Sequence, residues 1–99
     1  MKPFAERLRE DRRLLLLRLL SESNAYRSNS GVLHTTLYAL GVAASRDDVR
    51  TDLAWLAEQG LARLEDVATS VDVVSLTPRG HDVAQGNAHV PGVSRPEPR

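Results

Sequence analysis

Apolar residues recur along the chain at spacings that name their elements. Phe4 to Ser21 reads as a long helix, with Pro3 standing where a first turn tolerates proline. In its front half Phe4 and Leu8 lie one turn apart among alternating charges and are expected to face inward. Its back half, Leu14–Leu20 (LLLLRLL), is apolar on nearly every side except at Arg18. Glu22–Ser30 is polar and rich in turn formers, so it reads as a loop, with Tyr26 packing locally. From Gly31 to Leu40 a second helix is predicted, with Leu33, Leu37 and Leu40 inward beside Val32 and Thr36, and with His34 and Tyr38 towards the other side. Gly41–Ala44 is too short for anything but a turn.

The next stretch, SRDDVRTDLAWLAEQG (Ser45–Gly60), carries the strongest local signals. Ser45 followed by Asp48 three residues later is a capping-box pattern, and Gly60 stands where the helix should stop. At 100° per residue, Val49, Leu53 and Leu56 form a buried stripe. One flank holds Arg46, Arg50 and Ala57, and the other holds Asp48, Asp52, Trp55 and Gln59. Asp47, Thr51, Ala54 and Glu58 face away from the core. Downstream, Leu61–Val67 and Val71–Leu76 read as two strands of a hairpin with Ala68-Thr69-Ser70 at its tip. Thr77 caps and Pro78 opens a last helix to about Gln85, with Val83 and Ala84 inward and Gly86 ending it. Residues 1–86 thus form one domain, and 87–99, with Pro91, Pro96 and Pro98, an extended tail with almost no core. The fold expected is mainly α with a small β-hairpin wing, a winged helix-turn-helix.

Composition narrows the chemistry. At 99 residues and 41% hydrophobic content the chain supports a single core, which 4% aromatic residues leave to Leu, Val and Ala. Without cysteine there is no thiolate metal site or disulfide, which fits a reducing cytoplasm. The apolar run is too short to span a bilayer, so no membrane is expected. His34, His81 and His89 lack metal-site spacing, and no nucleophile elbow, phosphate loop or HExxH pattern occurs. The carboxylates sit at helix starts and hairpin edges, away from pocket-like apolar settings. No catalytic residue, metal or cofactor is expected.

Formal charge sums to zero, so distribution decides. Residues 1–22 carry a net +2, while 45–60 and 61–76 each carry −2. A leucine-rich helix that is apolar all round needs cover on more than one face. Either it runs through the core or it meets a second copy. The apolar surplus favours a homodimer sealed by Leu14, Leu16, Leu17 and Leu20, with Trp55 either against the first helix or in that seam.

The order helix, helix, turn, helix, hairpin, then LTPRG (Leu76–Gly80) resembles winged-helix regulators of the arsenic-repressor and multiple-antibiotic-resistance types. VRTDLAWLAEQGLARLE (49–65) would be their recognition helix running into the wing strand. Together with GVLHTTLYALGVAASRDDVRTDLAWL and the tail GVSRPEPR, the chain looks like a family of small winged-helix proteins of Mu-like phages and prophages. The phage resemblance implies the winged fold and no known biochemical activity, whereas the resemblance to the regulators implies double-stranded DNA as partner, with Ser45, Arg46, Arg50 and Thr51 at the positions facing it. The cysteines of arsenic-type repressors have no counterpart, and the acidic hairpin departs from the pattern. Two functions are weighed. One is a dimeric transcriptional regulator, favoured by the basic edge of Arg46 and Arg50. The other is a module binding a phage or host protein, favoured by the acidic charge map.

Overall fold

The computed structural model describes residues 1–68 and 71–97, and the side chains of 72–97 and of 1–65. Thr69 and Ser70, placed at the hairpin tip by the sequence, lie outside the described residues. The chain folds as α1 (Phe4–Glu22), a 3-10 turn at Asn24–Tyr26, β1 (Arg27–Asn29), α2 (Ser30–Ala39), α3 (Arg46–Glu58), β2 (Ala62–Ala68), β3 (Val71–Leu76) and α4 (Pro78–Gln85). It is mainly helical with a small antiparallel sheet.

The sheet has three strands in the order β1-β3-β2, one more than the hairpin expected. Residues Arg27, Ser28 and Asn29, read as loop, pair with Ser75, Val74 and Val73. The chain reaches this edge by a turn in which Ala25 and Tyr26 adopt left-handed φ angles of 57° and 55°, at residues that carry a Cβ. Asn29 then ends the strand and starts the next helix, its side chain accepting the Val32 N–H at 2.8 Å.

Most helix ends follow the local chemistry. Thr77 caps α4 by accepting the Gly80 N–H, with Pro78 in the first turn. Gly80 is required for another reason, because a Cβ there would stand 2.0 Å from the Leu61 carbonyl oxygen. The backbone of α4 therefore lies directly on the chain entering β2.

The core joins all the helices. Leu16, Leu17 and Leu20 are fully buried, Leu14 nearly so, and they meet Leu37, Val49, Leu53, Leu56, Val74 and Val83. This corrects the assignment of Leu14, Leu16, Leu17 and Leu20 to a dimer seam, since they lie inside the protomer. The extra cover comes partly from the C-terminal segment. Val90 and Val93 join the same cluster, and Ser94 donates its N–H to the Glu10 carbonyl and its hydroxyl to Asp11. Through Val90 and Val93 the segment after Gly86 thus contributes to the core rather than being a tail with almost none.

The front of α1 departs the other way. Phe4 and Leu8, expected inward, are 75% and 49% exposed. Likewise Val32 and Leu40 of the second apolar stripe are exposed, while Leu33 and Leu37 are buried.

Truncation after Ala88 should therefore lower stability by about 3 kcal/mol or more, from two buried valines at roughly 1.5 kcal/mol or more each. Urea unfolding of the full and shortened chains checks this; equal midpoints would mean the segment contributes no packing.

Candidate nucleic-acid interface

The helix α3 is held at its start by its own sequence. Ser45 Oγ accepts the Asp48 N–H at 2.9 Å, and Asp48 Oδ2 accepts the Ser45 N–H at 3.1 Å, closing the capping box. Hydrogen bonds from the Ser45 backbone and then its side chain hold the Asp48 carboxyl below its ordinary 3.8, with Arg12 and Arg9 adding to the effect. Ser45 and Asp48 are thus engaged in forming the helix, with Asp48 also carrying part of the charge at its positive end.

On its inner flank α3 is bolted to α1 by charge. The Asp52 carboxylate is 1% exposed and accepts from Arg12 Nε and, at 3.2 Å, from Arg13 Nε. The Arg13 guanidinium lies 3.9 Å over the Trp55 ring, a cation–π contact. Its Nη1 donates to the Gly92 carbonyl at 3.1 Å. Gly92 has φ of 101°, and a Cβ there would come within 2.6 Å of the Trp55 ring. Trp55, whose sequence reading left a dimer seam open, is sandwiched within its own chain. Asp52, placed by the sequence on the flank of α3, is buried between two arginines rather than in an apolar pocket.

Arg46, Asp47, Thr51, Ala54 and Glu58 are exposed on the outward side of α3. Arg46, Arg50 and Thr51 share the exposed N-terminal end with Ser45, as the sequence placed them. Arg50 is not free, however. Its Nε donates to Asp72 Oδ2 of β3 at 3.1 Å, with Arg50 48% and Asp72 16% exposed at their side chains. Asp72 is fixed in turn, its N–H donating to the buried Ser30 Oγ at 3.1 Å. In the same sheet Glu65 pairs with Arg27 at 2.8 Å. His34 donates through Nε2 to the Ala44 carbonyl at 2.9 Å, so it ties α2 to the turn before α3.

These pairings redraw the charge map. Counting charges along the chain made α3 and the hairpin acidic, but Asp52 is buried between arginines, Asp48 is in the cap, and Glu65 and Asp72 each face an arginine. The exposed start of α3 carries Arg46 and Arg50 against Asp47 and the cap carboxylate of Asp48. A groove of about 920 Å³ lies elsewhere, between α1, α4 and the C-terminal segment. Asp72, Arg12 and Arg13 were missed by the sequence reading because each acts through a partner at least 22 positions away.

Comparison with known proteins gives two relatives. The chain is 49% identical over 92 residues to the uncharacterized protein gp26 of Escherichia phage Mu, covering 93% of this chain and 94% of that protein. It is 42% identical over 76 residues to an uncharacterized protein of Haemophilus influenzae, covering 77% and 74% respectively. No family model and no solved structure matches.

Asp52→Asn should cost on the order of 3 kcal/mol in urea unfolding, because it leaves two arginines facing a neutral group in a nearly dry site; a loss below 0.5 kcal/mol, the scale of an exposed pair, would contradict a structural role for the network. The cap makes a separate expectation. By NMR titration Asp48 should titrate below 3.8 and move upward in Ser45→Ala. A depressed folded-state pKa adds stability above the unfolded value and loses it as pH falls through the folded one. The variant's deficit, about 1 kcal/mol at neutral pH, should therefore shrink in acid. An unshifted Asp48 in the variant would contradict the cap assignment.

Proposed function

We propose that this chain, which belongs to the family of phage Mu gp26, is a double-stranded DNA-binding protein. In this reading α2, the turn and α3 form a helix-turn-helix, β2–β3 is its wing, and the start of α3 enters the major groove. The observation that carries it is the charge at that end of α3. Arg46 and Arg50 stand exposed, while three of the nearby carboxylates, Asp48, Asp52 and Asp72, are engaged within the fold.

The roles follow from reach and chemistry. Arg46, exposed and without a side-chain partner among the described residues, suits a phosphate as a positive charge. The Thr51 hydroxyl, one helical turn further along the outward side from Asp47, suits a phosphate or a base edge. Exposed Asp47 opposes phosphate and limits affinity for arbitrary sequence. The buried Asp52 network fixes the angle at which α3 leaves α1, so the reading helix is presented rigidly.

Fluorescence anisotropy with duplex DNA tests the proposal. With three or four phosphates neutralised, affinity should fall roughly 40- to 150-fold between about 50 and 200 mM salt. Arg46→Ala should weaken binding to all sequences and reduce the salt slope by about one, and Asp47→Asn should tighten binding. Absence of binding to any duplex at low salt would remove the DNA reading and leave the exposed Phe4–Leu8 pair, the natural face for a protein partner, to be tested instead.

A further inference from the structure

Resting on the DNA-binding reading, we infer that Arg50 reads a guanine in the major groove and that Asp72 is the residue that positions it to do so. The argument begins with which edge of the guanidinium is occupied. Arg50 donates through Nε, at 3.1 Å, to Asp72 Oδ2. Among the described residues its terminal nitrogens make no hydrogen bond, so the end-on fork of Nη1 and Nη2 is left to solvent on a half-exposed side chain. Guanine presents two acceptors, O6 and N7, at a spacing that such a fork meets with paired hydrogen bonds. Adenine offers a donor where guanine offers O6, so the same fork rejects it.

An exposed arginine without support samples many rotamers and must be ordered when it binds. Asp72 removes part of that cost beforehand. It can do so because it is itself immobile: its side chain is 16% exposed, and its backbone N–H is held by the hydroxyl of Ser30, a buried residue at the start of α2. The buttress therefore runs from α2 through β3 to the tip of Arg50. Arg46, four residues earlier on the same flank, has no such support among the described residues. The two arginines thus differ in role, Arg50 specifying sequence and Arg46 supplying charge. The ligand class that follows is duplex DNA with a G·C pair at the position opposite Arg50.

A competing role for Asp72 is simple masking, in which its carboxylate occupies Arg50 and weakens all DNA binding. The two roles separate in one experiment. A preferred duplex is first selected from random sequence with the full chain. Binding of wild type, Arg50→Lys and Asp72→Asn is then measured to that duplex, to versions with each G·C changed to A·T, and to random duplex at low salt. Arg50→Lys keeps the charge and loses the fork. Asp72→Asn keeps the shape and loses the buttressing charge. The inference expects wild type to prefer G·C at one position by roughly tenfold or more, and both variants to lose most of that preference. Circular dichroism spectra of both variants should match that of wild type, which shows that they are folded. Tighter binding by Asp72→Asn with the G·C preference intact would overturn positioning in favour of masking. A selected site whose preference neither variant changes would overturn the guanine assignment while leaving DNA binding in place. No binding of any duplex by wild type would overturn both readings together.

Discussion

The Asp52 carboxylate, set between Arg12 and Arg13, is the contact on which the rest of the arrangement depends. Apolar burial supplies most of the stability of such a domain, but it is non-directional and would tolerate a range of helix angles. A carboxylate that is 1% exposed tolerates very few, because a buried charge that loses its partners is costly. Arg13 extends the constraint. The same guanidinium donates to Asp52 and to the Gly92 carbonyl and stacks on Trp55. Residues near positions 12, 52 and 92 are thereby held together, which ties α1, α3 and the C-terminal segment to one another.

That arrangement decides what α3 can show to a partner. Drawing Asp52 inward removes a negative charge from the surface, and pairing Asp72 with Arg50 lowers another while aiming the arginine. Net charge along the sequence is therefore an incomplete guide to the exposed face, because Asp52, which counts as a surface charge in a linear sum, is used up in folding. The same contacts that stabilise the helix shape its outer electrostatics.

Much of the fold was legible because several ends carry their own chemistry. The Ser45–Asp48 box and the Thr77-Pro78 start act within a single turn, so both helix starts could be placed from a few residues. What could not be read depends on contacts distant in sequence. The strand at Arg27–Asn29 has no alternation of its own and exists through pairing with β3, entered by a left-handed turn that lacks glycine. Val90 and Val93 are isolated apolar residues among Gly and Pro, and only the uncovered side of α1 makes them core. Periodicity states which residues share a face but not whether anything lies against it, so Phe4 and Leu8 kept the right spacing and the wrong environment. For the leucine-rich segment the demand for extra cover was sound, and part of that cover is the chain's own C-terminal segment through Val90 and Val93. At the site, the exposed group of Ser45, Arg46, Arg50 and Thr51 was visible from helix geometry, whereas the Asp72 partner 22 positions away was not.

The claim that the start of α3 is the DNA-contacting surface can be tested residue by residue by mapping amide chemical shifts of the ¹⁵N-labelled protein as duplex DNA is added at low salt. The account predicts changes concentrated at residues 45–51 and at Asp72, which diminish as salt is raised. Changes confined to the exposed front of α1 around Phe4 and Leu8, or no changes at all, would contradict it.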